Sequence, residues 1–405
     1  MKAIFLSITV CFTLFANGQG FQVSLQGQRQ QAMAGAGTAY IKDGASLFYN
    51  PGGVSFLENN SASMGATAVI SRVQYVDKAS STMSESSSPA SFPFTGYFVG
   101  GKKGSKIKYG LAAYTPFGST ADWEKGWTGR FVLTHIQLFA VYIQPTISYK
   151  INDKLGVGAG FVYSTGKVNV QKDIPVMDAN ENYGHAELDG KASGIGFNAG
   201  IYYKPTQQLS LGFTYRSKVN MDMDEGDATF TVAPSLSSSF PNGKFSTSIS
   251  LPDIMTLGMA YQVNKKLVLV FDANLVGWKC FDTVVFDYKN NTPELADTKS
   301  TYNYKNASSF RLGAQYTVNS KLEARAGIKY LGTSVRDGYL SPDVPDASHV
   351  NYSAGLGYRL SSHFSIDASL TLQTMNRQGE QKESGLNGTY KTNLYMPGFS
   401  LNYNF

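Results

Sequence analysis

His135, His185, His349 and His363 are the only imidazoles in the sequence, and their spacing matches no metal-ligand pattern. A GxSxG nucleophile elbow is absent. Asp346, Ser348 and His349 have the residue types of a hydrolytic triad. As near neighbours on one predicted loop, however, they give weak grounds for a relay, whose members are defined by geometry and role. Gly156, Gly158 and Gly160 in GVGAG resemble a phosphate loop only in composition, because they share one face of a predicted strand and no helix pattern follows. Small inward residues that make room for something explain them better. Cys280 is left alone once a leader containing Cys11 is set aside, so cysteine supplies neither an internal disulfide nor a zinc cluster. No catalytic residue, metal ligand or cofactor site is predicted. The chemistry open to this chain is that of binding and passage.

The stretch expected to shape such a passage is FYNPGGVS, residues 48 to 55. Pro51 fixes its own φ and pushes Asn50 toward extended geometry, while Gly52 and Gly53 permit backbone closed to other residues. A turn of this kind holds its shape without a large core, which suits a small unit wedged inside a larger one.

The rest of the composition says what the larger one is. The 405 residues include 25 Tyr, 25 Phe and 41 Gly but only 16% charged residues. The net charge of +6 is spread along the chain with no basic block, which argues against nucleic acid as a partner. Residues 1–18 read as a signal peptide, with Lys2, an apolar run and the small-residue site Ala16-Asn17-Gly18 before Gln19. No later stretch is long and apolar enough for a membrane helix, so membrane contact requires a closed barrel, where every backbone group is paired.

Period-two alternation supports the barrel. Tyr352, Ala354, Leu356 and Tyr358 oppose Asn351, Ser353, Gly355 and Gly357, and Phe364, Ile366, Ala368 and Leu370 oppose Ser365, Asp367 and Ser369. About fourteen such segments occur: 61–76, 90–101, 107–116, 136–150, 154–170, 188–204, 208–222, 243–263, 266–287, 300–317, 322–333, 348–360, 363–376 and 389–405. Short polar turns such as Lys102 to Lys106, Asn152 to Lys154 and Asn319 to Lys321 follow the even-numbered segments. Long connections (117–135, 171–187, 223–242, 288–299, 334–347 and 377–388) follow odd-numbered ones. Short turns on one rim and long loops on the other are the asymmetry of an outer-membrane barrel. The predicted fold class is all-β: a transmembrane antiparallel β-barrel of about fourteen strands at 58–405, with an N-terminal hatch at 19–57 in the lumen. Ile136, Leu138, Ala140 and Tyr142 alternate with Phe139, Val141 and Ile143, so both faces of that segment are largely apolar. An apolar lumen wall implies an apolar passenger or tight packing against the plug.

Several stretches taken together resemble the long-chain fatty-acid transporters of the Gram-negative outer membrane, the FadL family. These are Gly20-Phe21-Gln22, AGAGTAYIKDGASLFYNPGG, WTGRF, IQPTISYKINDKLGVGAGFVY, LPDIMTLGMAYQVNKKLVLVFDANLVGW, SPDVPDASHVNYSAGLGYRL and the terminal Phe405. The resemblance implies passive uptake of hydrophobic small molecules, fatty acids or hydrocarbons, which leave sideways into outer-membrane lipid through a kink in the third strand. It places Phe21 at an internal pocket and makes Asn50, Pro51 and Gly52 the hatch turn. Gly52 stands where alanine is usual and is expected to loosen that turn. Gly110, Pro116 and Gly118 are the candidates for interrupting the third strand, since proline cannot donate to a ladder and glycine often marks a bulge. The aromatic last strand resembles the one read by the barrel assembly machinery. A structural or adhesive barrel, or a general porin, is the alternative.

Overall fold

The computed structural model describes residues 20–405; the signal-peptide expectation lies outside them. The strands form one antiparallel sheet that closes on itself as a fourteen-strand barrel. Several strands are broken mid-way. The first runs Ser61–Thr67 and Ile70–Asp77, the second Met83–Ser86 and Phe94–Gly100, the third Ile107–Asp122 and the fourth His135–Lys150. The fifth and sixth are Leu155–Met177 and Tyr183–Tyr203. The seventh is Leu209–Arg216 with Val219–Thr231, and the eighth Gly243–Leu251 with Ile254–Gln262. Leu267–Val276 with Thr283–Tyr288 makes the ninth, and Thr298–Thr301 with Ala307–Thr317 the tenth. Leu322–Leu331, His349–Arg359, Phe364–Gln381 and Leu386–Asn404 complete the wall. Closure pairs the first strand with the last, from Ser61 opposite Asn404 to Thr67 opposite Gly398.

The alternation sorts as the period-two pattern predicts. Tyr352, Leu356 and Tyr358 are exposed on the outer face, while Asn351 and Ser353 are buried inside. Apolar residues face outward because only lipid leaves them unpenalised there. The expected two-sided apolar strand is also present: Ile136, Ala140 and Tyr142 are buried inward while Phe139 and Ile143 are exposed outward. Past Tyr142 the inward side turns polar, at Gln144, Thr146 and Ser148.

All six short turns fall on one rim. The long connections are shorter than the sequence pattern suggested, because the strands run on past the membrane. Residues 117–122, 171–177, 223–231 and 377–381 continue as strands. Out there the outer face meets water and turns polar, as with Lys167, Asn169 and Gln171 opposite Lys191, Asp189 and Glu187, so the outward apolar period that marks a membrane strand is lost although Val168, Ala186, Leu188 and Phe230 stay buried on the inner face.

Residues 20–57 fill the lumen. They hold two short helices, Gln28–Ala32 and Ser46–Tyr49, and a 3-10 turn, Pro51–Phe56. Polar side chains fasten this segment to the inner wall. Gln28 donates to the Ala66 carbonyl and the Thr67 hydroxyl at 3.2 and 3.0 Å, and Gln31 to the Met396 carbonyl at 3.0 Å. Asp272 accepts from the Gly37 and Thr38 amides and the Thr38 hydroxyl at 2.9 to 3.1 Å. Arg29 bridges Asp43 of its own segment and Glu323 of the wall at 3.0 and 2.9 Å. Satisfied polar contacts of this kind fix register and orientation, since each partner left alone would be a buried unpaired group.

Candidate functional site: a cavity that reaches a break in the wall

The turn at Asn50 is rigid for a reason the sequence concealed. Asn50 is fully buried, extended at φ −161, and its side chain accepts from the Gly52 amide at 3.0 Å. The same side chain donates to the carbonyls of Thr38 at 2.9 Å and Ile201 at 3.0 Å, tying the turn to the sixth strand. Gly52 and Gly53 do not use the backbone freedom that glycine permits, since neither has a positive φ. Gly52 is required by contact instead: a Cβ there would stand 2.5 Å from the Gly200 carbonyl oxygen and 3.0 Å from that of Gly156. Gly156, Gly158 and Gly200 form the smooth wall it lies on, which is what the GVGAG run is for. The expected loosening at Gly52 is therefore corrected to the opposite, a closer seat. Gly52→Ala should cost about 1–3 kcal/mol, since backbone on both sides leaves no room to repack. Gly53→Ala should cost less because it meets only the end of the Ile41 side chain. Urea midpoints of the two variants in lipid would check the order.

Phe21, Pro116 and Gly118 meet at one place. The ladder between the second and third strands stops at Thr95 opposite Tyr114 and resumes only where Ser86 pairs with Trp123. Between them the second strand carries Pro89 and Pro93, and the third carries Pro116, where its register with the fourth strand slips between Tyr114 and Phe117. Proline has no amide to give a neighbour, so the ladder cannot continue. The freed backbone turns inward to the N-terminal segment: the Val23 amide donates to the Pro116 carbonyl at 2.8 Å and the Gly118 amide to the Phe21 carbonyl at 3.1 Å. Phe21 lies edge-on to Phe117, Trp278 and Phe281, with ring centres 4.8 to 6.0 Å away. Gly110 does not belong to this group. It sits in unbroken ladder opposite Val99 and Thr146, and its missing side chain makes room for Leu47.

A cavity of about 580 Å³ opens onto the break. Its lining includes the outward-facing Phe92, Phe94 and Phe139 and the luminal Phe21, Gly118 and Met396, so it passes from the lumen into the gap between the two strands. Its far side is polar, with Lys329, His349, Asn351, Gln373 and Thr392 from the eleventh to fourteenth strands. Lys329 is 7% exposed and has no ion-pair partner among the described residues. His349 Nε2, Asn351 Oδ1 and Thr392 Oγ1 are buried without partners. Sequence reading missed this polar group, whose only signal was polar inward positions on the last strands. It also missed Pro89 and Pro93, whose spacing in SPASFPF was readable as a broken strand.

The connection 332–348 folds over the cavity. Asp343 accepts from the Tyr302 hydroxyl at 2.9 Å, and its carbonyl accepts from the Ser119 hydroxyl at 2.9 Å, so the connection also touches the third strand. Asp346 accepts from Thr333 Oγ1 and the Ser334 amide, and the Gly20 amide also reaches it. Burial pushes its carboxyl up to about 6, against those hydrogen bonds. His349 Nδ1 lies 2.6 Å from the Ala347 carbonyl and Ser348 accepts from the Thr333 amide, so Asp346, Ser348 and His349 make no relay.

The family model described as outer membrane protein transport protein (OMPP1/FadL/TodX) matches residues 9–405. Outer membrane protein P1 of Haemophilus influenzae is 24% identical over 96% of this chain and 96% of its own. A long-chain fatty acid transport protein of Escherichia coli is 22% identical over 86% of this chain and 85% of its own. In fold, a FadL homologue of Pseudomonas aeruginosa superposes with a TM-score of 0.82 at 21% identity, covering 96% of this chain and all of the other. The Pseudomonas putida toluene transporter TodX superposes at 0.71 and 16%, covering 96% and 99%. By the match of its whole described length, the chain belongs to the OMPP1/FadL/TodX family of transport proteins of the Gram-negative outer membrane.

Proposed function

We propose that this protein is a passive importer of long hydrophobic compounds with a single acidic head, long-chain fatty acids foremost, and that residues 20–57 are its hatch. Substrate would occupy the cavity over the hatch and leave sideways through the break between the second and third strands. The observation that carries this reading is one cavity combining a buried lysine that has no ion-pair partner among the described residues, Lys329, with an apolar opening in the wall. Burying a chain gains about 0.8 kcal/mol per methylene, so the cavity can draw an amphiphile from the polar outer surface without an energy source. Lys329 and the unpartnered Thr392 hydroxyl would hold the carboxylate while the tail lies toward Phe94 and Phe139. Leaving through the wall delivers the molecule to lipid rather than to water. Related proteins named for fatty acids and for toluene are both consistent with an apolar route, and the lone lysine favours the acid here.

The test is uptake of labelled oleate and of a neutral aromatic hydrocarbon by cells lacking their own importer, with the native chain and with Lys329→Met. A charge-assisted hydrogen bond contributes about 1.5–3 kcal/mol, so oleate uptake at limiting concentration should fall roughly tenfold or more while the hydrocarbon enters as before. Equal loss of both would remove the carboxylate role. Entry of a small sugar through the native chain would instead show a general porin.

A further inference from the structure

The mild net charge hides a sharp segregation. The fold brings the six short turns, 101–106, 151–154, 204–208, 263–266, 318–321 and 360–363, to one rim, and all but the last carry lysine. Lys102, Lys103, Lys106, Lys154, Lys265 and Lys266 are exposed there, and none makes an ion pair among the described residues. Asp153 is the one acidic residue in the six turns, and it is taken by Lys150 at 2.8 Å. The opposite rim is built differently. Its charge is mixed: Lys167 pairs with Asp189, Lys244 with Asp227, Lys289 with Glu225 and Arg377 with Asp337, while exposed acids such as Glu124, Glu181, Glu294 and Glu383 stand among lysines such as Lys78, Lys125 and Lys382 that make no ion pair among the described residues.

On the cationic rim, like charges are even set side by side. The Lys150 amide donates to the Lys106 carbonyl, Lys204 to Lys154, and Arg359 to Lys321, at 2.7 to 2.8 Å. These positions alternate with the outward Tyr149, Tyr203 and Tyr358 and so fall on the inward face, where Lys150 already has Asp153 and lies over the Phe56 ring, which leaves the exposed turn lysines as the charges open to an outside partner. One residue further up the same strands the outer face turns aromatic or aliphatic. Ile107 is exposed opposite Tyr149, and Tyr203, Tyr261 and Tyr358 are exposed at the same level. Tyrosines of this kind sit at headgroup depth, so the turns just beyond them lie among the headgroups of the adjacent leaflet. With short turns facing the periplasm, that is the periplasmic leaflet.

We propose that this rim is a binding surface for anionic phospholipid of the periplasmic leaflet, whose phosphates meet the exposed turn lysines and fix the depth of the barrel. The shared charge and depth favour lipid over a soluble acidic protein, because lipid phosphates already stand at this level while the tyrosines hold the rim there.

The experiment uses the full chain in bilayers of phosphatidylcholine carrying a trace of spin-labelled phosphatidylglycerol or spin-labelled phosphatidylcholine, and reads the motionally restricted fraction of each. The native chain should prefer the anionic lipid several-fold, and raised salt should shrink the preference. The variant K102Q/K103Q/K106Q/K265Q/K266Q should lose most of it, while a K244Q/K289Q variant at the other rim keeps it. Equal restriction of both lipids by the native chain would overturn the proposal, as would an undiminished preference in the rim variant. Equal restriction together with rim-dependent capture of poly-glutamate would overturn it in favour of an acidic protein partner. Should the five-fold variant fail to assemble, K102Q/K103Q alone, both at one exposed turn, reads the same fraction.

Discussion

Gly118→Phe should abolish most hydrophobe uptake while the barrel still assembles. Gly118 borders the wall break and lines the cavity, and its φ is not one reserved for glycine. A Cβ built there meets the Leu138 carbonyl oxygen at 3.3 Å, with Phe139 and Val23 next at 3.9 Å, so a small side chain is tolerated and a large one must enter the cavity. Overpacking a formed cavity costs about 1–3 kcal/mol, and 1.4 kcal/mol is a factor of ten, so uptake at low substrate should drop by about tenfold or more. Gly118→Ala is the control: it adds one carbon in near-contact and should leave uptake within about twofold of native, the scale of a surface-like change. The readout is initial rate of oleate entry, normalised to folded barrel by heat-modifiable mobility. Native uptake in Gly118→Phe would mean that substrate does not pass this side of the third strand, and would turn attention to the broken ninth strand near Trp278. Native uptake in Gly110→Ala, by contrast, says nothing of the opening, because Gly110 lies within intact ladder.

The wall was legible in the sequence and the contents of the lumen much less so, for one physical reason. A strand between lipid and lumen must alternate, and residues such as Tyr352, Leu356 and Tyr358 show it; all fourteen predicted segments fall on barrel strands. Where the wall leaves the membrane, the selective pressure of lipid on one face vanishes and so does the pattern, which is why residues 171–177 and 377–381 read as loop. Inside, packing is set by contacts between distant segments. Gly52 against Gly200, Phe21 against the Gly118 backbone and Gln31 against Met396 are far apart along the chain. Composition marks such residues as unusual but does not say what they touch. The glutamines at 26, 28 and 31 carry no pattern that marks them, yet they fasten the segment to Thr115, Thr67 and Met396 of the wall. Nothing in the sequence singles out Lys329, which lines the cavity.

Arg29→Met should open the lumen to small polar solutes without dismantling the wall. Arg29 reaches Asp43 and Glu323, and Arg325 beside it contacts both Glu323 and Asp367, so two arginines balance three carboxylates between residues 20–57 and the wall. Arg325 and Asp367 are almost fully buried, and Arg29 is only 15% exposed, so solvent cannot replace the missing charge. Removing one partner of such a network costs about 3 kcal/mol, because the cost is that of carboxylates left without a counter-charge. The wall keeps its own ladders, including the eleventh strand's pairing on both sides, so the loss falls on the seating of residues 20–57. Permeation of a small sugar into vesicles should rise clearly above that of the native chain, and the thermal midpoint should fall. A second substitution separates charge from shape. Arg29→Met with Glu323→Gln removes one charge of each sign, and it should recover part of the lost midpoint, giving a coupling energy that the single changes do not predict. Additive losses would mean that Arg29 acts through packing alone. Unchanged sugar permeation in Arg29→Met would place the hold on residues 20–57 elsewhere, at the Asn50 turn and its glycine seat, where Gly52→Ala would then be the variant that leaks.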